Sequence, residues 1–226
     1  MQPSVPTPLV LLFDVNETLL DIAALKQKVG DILLNPHAAS LWFTTMLQYS
    51  LVMTVSDQYA PFGDIGAASL QMLARKYDMV LDPDDAKAAL SLMRTLPPYP
   101  DVKPALERLK HKGLRLATLT NSPQAGVKAQ MEHGGLAGLF ERQLSVESVG
   151  KFKPHRSVYL WAAQEMGVTP AECMLVAAHG WDIAGAQWAG MQTAFIAREG
   201  QQKFPLAPEP DVDVADLTAL GVHFCG

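Results

Sequence analysis

The sequence predicts an α/β fold, a Rossmann-like doubly wound parallel sheet with a helical cap inserted after its first strand. Three observations predict it. Leu9-Val10-Leu11-Leu12-Phe13 is an unbroken apolar run near the N-terminus, the pattern of a central strand buried on both faces. From residue 101 onward strand-like and helix-like segments alternate, which implies parallel pairing with right-handed crossovers. Between these two parts, residues from about 22 to 97 carry helical periodicity and little strand signal.

Each element follows in order. The helical block shows apolar positions at Leu41, Trp42, Phe43, Met46, Leu47, Tyr49 and Leu51, then at Ala67, Leu70, Met72, Leu73 and Tyr77, then from Ala86 to Met93. Asp82-Pro83-Asp84-Asp85 marks a helix start, with proline in the first turn and acids near the positive end of the dipole. Leu96-Pro97-Pro98-Tyr99-Pro100 is a stiff hinge that returns the chain. The expected division is a core of residues 1–20 plus 98–226 and a cap of residues 21–97. Within the core, Val102 to Lys112 reads as a helix stopped by Gly113, and 114–119 as a strand. Residues 124–134 and 155–166 read as helices, and Gln143 to Ser148 as a short strand. Cys173 to Ala178 and Gln192 to Ala197 read as strands around a helix from about Asp182 to Ala189, with a last short strand at 212–214.

Composition excludes several classes. The chain has 226 residues, enough for one domain plus an insertion. Its net charge is −5 with both signs mixed, and no Lys/Arg tract forms a nucleic-acid stripe. No apolar run reaches the length of a membrane span. Met1 to Pro8 holds three prolines and no basic residue, unlike a secretory signal. Cys173 and Cys225 make neither a disulfide framework nor a metal site; Cys173 reads as a buried small hydrophobe and Cys225 as exposed. The expectation is a soluble, cytoplasmic protein.

Polar residues follow four strand-like runs or precede a helix beside them. Asp14 ends the first strand, and Thr120-Asn121-Ser122 ends the strand at 114–119. Gly150-Lys151-Phe152-Lys153-Pro154 leads into the 155–166 helix, and His179-Gly180-Trp181-Asp182 follows the strand at 173–178. In open α/β sheets these ends share one crevice. Asp14 can act as a nucleophile while ionised, and the Lys153 ammonium keeps it so. Thr18, four residues on, and Thr120 offer hydroxyls to the carboxylate. Asn121 can donate to a leaving group. Asp182 can pair with Lys153 and take a proton from water. Each residue also has a plainer reading. Asp14 and Asp182 suit helix N-caps, Thr120-Asn121 suits a turn, and Lys153 suits a helix-start surface. One shared site accounts for all of them jointly.

These segments resemble a known family. Phe13-Asp14-Val15-Asn16-Glu17-Thr18-Leu19, Leu119-Thr120-Asn121-Ser122, Lys151-Phe152-Lys153-Pro154 and Trp181-Asp182-Ile183-Ala184-Gly185-Ala186 are similar to the four motifs of the haloacid dehalogenase (HAD) superfamily. Leu96 to Val102, Leu144 to Gly150 and Val158-Tyr159 narrow the resemblance to its (S)-2-haloacid dehalogenase, or type II, branch. The resemblance implies a HAD-like core and cap, and hydrolysis of a short 2-haloacid without metal or cofactor. Asp14 would displace halide and form an ester that water then cleaves. Thr18, Thr120, Lys153, Tyr159 and Asp182 would support it, and Asn121 would hold the halide. A homodimer is also implied.

Phosphoryl transfer, the superfamily's commonest reaction, is disfavoured by two residues. The general-acid Asp of such phosphatases is here Asn16, and an acidic magnesium ligand is here Ala178. Three departures touch the dehalogenase pattern. Phe43 replaces an Arg after Leu41-Trp42, Ala177 replaces a serine, and His179 replaces an asparagine. A guanidinium is not replaced by an aromatic face. Phe43, Trp42, Trp181, Leu47, Met46 and Tyr49 then suggest an apolar pocket, or simply a packed cap. The backbone amides of Leu19 and Leu20 are candidates to take the substrate carboxylate. His179 is a candidate to bond Asp182 or the water and tune the hydrolytic step, or else a plain strand-end residue. Another small C–X electrophile, such as a strained cyclic amino acid, and a non-catalytic binding role are the competing readings.

Overall fold

A computed structural model of the chain describes residues 7–226. The reading of Met1 to Pro8 falls mostly on residues 1–6, outside the described residues. Six parallel strands form one sheet. They are β1 (Val10–Phe13), β2 (Arg115–Thr120), β3 (Arg142–Ser145), β4 (Cys173–Ala177), β5 (Gln192–Ile196) and β6 (Val212–Val214), in the order β3-β2-β1-β4-β5-β6. All four side chains of β1 are fully buried, as a strand covered on both faces requires. Its neighbours are β2, with Phe13 beside Thr118, and β4, with Phe13 beside Val176. The strand order reverses between β1 and β4, and this is where sheets of this kind leave a binding crevice. Asp14 follows β1 and His179 lies just beyond β4, so both stand at that reversal.

The first four of the five helices between β1 and β2 are α1 (Ala23–Ile32), α2 (Ala38–Val55), α3 (Phe62–Lys76) and α4 (Pro83–Leu90), followed by a 3-10 turn over Ser91–Thr95. Helix α4 starts where the sequence marks it, with the Asp82 side chain accepting from Asp84 N. Trp42 and Met46 of α2 pack on Gly66 of α3, where an added Cβ would lie 2.8 Å from Met46 Sδ. The two connecting segments run against each other. Asp21 N donates to Pro97 O, Tyr99 N donates to Leu19 O, and Leu20 bridges Pro98 antiparallel.

The remaining helices are α5 (Val102–His111), α6 (Gln124–His133), α7 (Arg156–Glu165), α8 (Gly180–Trp188) and α9 (Leu217–Cys225). Four details depart from expectation. The strand expected over 143–148 ends at Ser145, whose side chain accepts from Glu147 N and turns the chain into a 3-10 turn. Helix α8 begins at Gly180 rather than near Asp182, and Gly180 itself sits so close to the backbone of Gln202 to Phe204 that an added Cβ would collide with it. Helix α9 was not expected; Asp216 caps it by accepting from Ala219 N, and it packs on α5. That packing half-buries Cys225, expected to be exposed, while Cys173 is buried as expected.

Gly185 sets how closely α8 approaches α7. A Cβ there would collide with Pro154 and stand 2.7 Å from the Tyr159 hydroxyl. Gly185→Ala is therefore expected to cost about 1–3 kcal/mol of stability, read from denaturant midpoints, because a packed core yields only with strain. It should also displace the Tyr159 ring, visible as a change in its near-UV signal.

Candidate active site

The sheet brings its polar strand ends to one place. Asp14 is 5% exposed, and both its oxygens are engaged. Oδ1 accepts from Lys153 Nζ at 2.9 Å. Oδ2 accepts from Thr18 Oγ1 at 2.7 Å and faces His179 Nδ1 at 3.1 Å. Thr18 is fixed in turn, because its hydroxyl oxygen accepts from Ala178 N at 2.9 Å. The turn after Asp14 and the end of β4 are thus stitched together.

Lys153 is fully buried and has three acceptors for its three N–H bonds. They are Asp14 Oδ1, Leu119 O at 2.8 Å and Asp182 Oδ2 at 2.5 Å. Its backbone N donates to Asn121 Oδ1 at 3.0 Å, which aims the side chain along the strand ends. Asp182 receives the Tyr159 hydroxyl on Oδ1 at 2.6 Å. Burial alone would neutralise these groups, but their mutual field opposes it. Burial pushes the Asp14 carboxyl up, yet Lys153 and His179 carry it well below the usual carboxylate range. Burial pulls the Lys153 ammonium down, and the two carboxylates more than restore it. Asp182 moves the other way. Burial and the Asp14 charge raise it despite the Lys153 and Tyr159 contacts, so it is the readier proton acceptor of the two.

His179 lies between carboxylates. Its Nε2 faces Glu17 Oε2 at 2.9 Å, and Glu17 Oε1 accepts from Lys26 Nζ at 2.6 Å. Burial disfavours the charged ring, but hydrogen bonds to Asp14 and Glu17 raise its pKa to about 9. Three carboxylates, on Asp14, Glu17 and Asp182, therefore face three cations, on Lys153, His179 and Lys26.

Several expected residues meet here and several do not. Asp14, Thr18, Lys153, Asp182, Asn121 and His179 share the site. His179 contacts Asp14 and Glu17 rather than Asp182. Thr120 is a correction. Its hydroxyl accepts from Ser122 N at 3.1 Å, the local turn bond such residues favour, rather than reaching Asp14. The Leu19 and Leu20 amides are a second correction, since both donate to Val15 O in a tight turn and are spent. Trp42 is a third. Its indole N–H donates to Gly66 O at 2.9 Å inside the helical block, with Met46 beside it, and Tyr49 faces outward. Tyr159 is a fourth, being fully buried behind Asp182 rather than lining a substrate surface. Phe43 and Trp181 do reach the site, stacking on the His179 ring at 6.2 and 5.2 Å between centroids.

Asn16 is tied sideways, with Oδ1 accepting from Gln130 Nε2 at 3.0 Å. Gln130 and Ser122 line a cavity of about 390 Å³ with Phe62, Met93 and Arg94 from the helical block. Sequence reasoning missed two groups. Glu17 lies inside the first motif and was given no role of its own. Arg198 follows β5, and its guanidinium donates to Thr18 O while pairing with Asp101 at 3.0 Å. A charged residue at a strand end, the signal used for the other strands, would have found it.

With this geometry in place, comparison with known proteins is direct. The family model described as haloacid dehalogenase-like hydrolase matches residues 9–190. An (S)-2-haloacid dehalogenase of Pseudomonas sp. (strain YL) is 27% identical, over 93% of this chain and 91% of its own. (S)-2-haloacid dehalogenase 4A of Burkholderia cepacia is 30% identical over 87% of each. An L-2-haloacid dehalogenase from Xanthobacter autotrophicus, solved with chloropropionic acid covalently bound, superposes with a TM-score of 0.90. It covers 97% of this chain and 99% of its own at 23% identity, which shows a shared fold.

The charged ring links stability to pH. His179 has its pKa raised on folding, so its contribution is complete below the unfolded value near 6.5. It is lost as pH climbs through about 9. Denaturant titrations are expected to show stability falling across that window by up to about 3 kcal/mol. His179→Gln should flatten that fall.

Proposed function

The chain belongs to the haloacid dehalogenase-like hydrolases, and from that premise we propose that it removes halide from short 2-haloalkanoic acids through an aspartyl ester on Asp14. One observation carries this reading: the Asp14 carboxylate held ionised by Lys153, Thr18 and His179 at the strand-order reversal. A carboxylate kept charged in a dry crevice is a competent nucleophile toward an sp³ carbon bearing a leaving group.

The roles divide by geometry. Asp14 attacks C2 of the substrate, and the carbon–halogen bond breaks with its electron pair leaving on the halide. Lys153 holds Asp14 aligned and charged. Asn121 is fixed through Oδ1 by Lys153 N, which leaves its Nδ2 without a protein acceptor among the described residues and free to donate to the departing halide. Asp182, held by Lys153 and Tyr159, takes a proton from the water that cleaves the ester. Phe43 and Trp181 form the apolar wall beside the reacting carbon. Asn16, turned toward Gln130 and unable to exchange a proton, argues against phosphoryl transfer.

We assign residues 21–97 to the cap and 1–20 plus 98–226 to the core. The paired segments at Leu19–Asp21 and Pro97–Tyr99 make a compact hinge for cap closure. Among the described residues no helix is long and apolar enough to cross a membrane, and both cysteines are free. These features suit a cytoplasmic enzyme. Leu41, Leu51, Val52 and Val55 leave an apolar face on α2, which suits a homodimer.

Asp14→Asn is expected to lower halide release by about 10⁴-fold or more, measured by ion chromatography with chloro-, bromo- and fluoroacetate and 2-halopropionates. Multiple turnovers of wild type in ¹⁸O-water should place the label in the Asp14 peptide; turnover without label excludes the ester. Sedimentation equilibrium is expected to give the mass of two chains, and Leu51→Asp with Val55→Asp the mass of one. A monomeric wild type would remove the dimer.

A further inference from the structure

Glu17 is a buried carboxylate held in a costly backbone conformation. Its φ is 62°, a left-handed value that a non-glycine residue adopts only at a cost. Such strain persists where surrounding contacts hold it. Both of its oxygens are committed, one to Lys26 and one to His179 Nε2. His179 commits its other nitrogen to Asp14 Oδ2. An imidazole whose two nitrogens face carboxylates donates from both and is a cation. The charged groups around it are Asp14, Glu17, Lys26 behind Glu17, and Lys153 and Asp182 beyond Asp14. Phe43 and Trp181 stack on the ring. Neither ring N–H is left to bind a halide.

The hydrogen bonds also distinguish the two Asp14 oxygens. Oδ2 has two donor partners, Thr18 Oγ1 and His179 Nδ1, while Oδ1 has one, Lys153 Nζ. A carboxylate oxygen has two in-plane lone pairs, so Oδ1 keeps one for attack. The ester then forms at Oδ1, and Oδ2 becomes its carbonyl oxygen, still facing Thr18 and His179. Negative charge develops on that oxygen when water adds. Building on the dehalogenase reading, we propose that Glu17 and His179 act as a charged oxyanion donor in the hydrolytic half of the reaction. His179 is the catalytic residue, donating to Oδ2. Glu17 is the positioning residue, and it keeps the ring cationic after esterification has removed the Asp14 charge.

The step balances. The water oxygen bonds to Asp14 Cγ, its proton passes to Asp182, and the carbonyl π pair moves onto Oδ2. That pair then re-forms the carbonyl and the Cγ–Oδ1 bond breaks. The departing alkoxide takes the proton from Asp182. The new Asp14 carboxyl, carrying the water oxygen, loses its remaining proton to solvent, so one halide and one proton leave per turnover.

Rapid-quench kinetics with 2-chloropropionate and intact-protein mass spectrometry test the role. Glu17→Gln should keep a halide burst of one equivalent per site, at a rate within about threefold of wild type. Ester hydrolysis should slow by about 100-fold, with the adduct accumulating on the Asp14 peptide. Equal slowing of both halves without adduct overturns the proposal. A second readout needs no substrate. Asp14→Asn mimics the uncharged ester, and NMR titration should show His179 still cationic at pH 7 in that variant. It should be neutral when Glu17→Gln is added. A neutral His179 in Asp14→Asn alone also overturns the proposal. Wild type that releases no halide from any haloacid sinks the dehalogenase reading instead, while the ring titrations still decide whether Glu17 alone holds the charge.

Discussion

The Lys153 ammonium between Asp14 and Asp182 is the contact on which the site's architecture depends. Two carboxylates buried this deeply would repel each other and seek protons. One ammonium with an acceptor for every N–H satisfies both, with Leu119 O taking the third bond. Such a group is stable only if its partners arrive with good geometry. The surrounding structure supplies that geometry piece by piece. The ends of β1, β2 and β4 supply Asp14, the Leu119 carbonyl and the approach to Asp182. Asn121 holds the lysine backbone, Gly185 admits the Tyr159 hydroxyl, and Arg198 grips the Thr18 carbonyl. Remove the ammonium and each of these is left supporting an uncompensated charge.

The helical cap is wired to the same lysine. Thr54 of α2 accepts from Phe152 N at 2.9 Å through its hydroxyl and from Lys151 Nζ at 2.8 Å through its carbonyl. Tyr59 and Phe62 pack on the Phe152 ring at 5.4 and 5.7 Å. The residue before Lys153 is therefore clamped by the cap while Lys153 itself reaches Asp14. Phe43 meets the other edge of the site at His179. Helices α2 and α3 thus touch the site both at the segment that carries Lys153 and at His179, so a shift of the helical block would bear on both.

What was legible in the sequence follows from the range of the interactions. The strand run at 9–13, the helix start at Asp82-Pro83 and the polar residues at four strand ends are local patterns, and they located the sheet and most of the cluster. The misses depend on competition or distance. Thr120 looked placed to reach Asp14, but its hydroxyl is turned to accept from Ser122 N two residues on. Leu19 and Leu20 looked like open amides until Val15 O took both. Trp42 was indistinguishable from Phe43 in sequence, and only the approach of Gly66 tells which ring is packed inward. Glu17 becomes informative only when His179, 162 residues later, is seen against it.

That last pairing also explains the aromatic at position 43. The resemblance sets a guanidinium there, opposite an uncharged residue at 179. Here position 179 carries a cation, with Phe43 and Trp181 each stacked on its ring at interplanar angles of 21° and 27°. A second cation at 43 would face the first at close range in a low-dielectric space, where like charges repel strongly. An aromatic face does the opposite, attracting the imidazolium and shielding it from water. With Lys26 balancing Glu17, the cluster remains neutral as a whole while the positive charge of His179 stays beside Asp14 Oδ2. In this chain the positive charge of that edge sits in the core, beside Asp14 Oδ2, and the helical block meets it with an aromatic face.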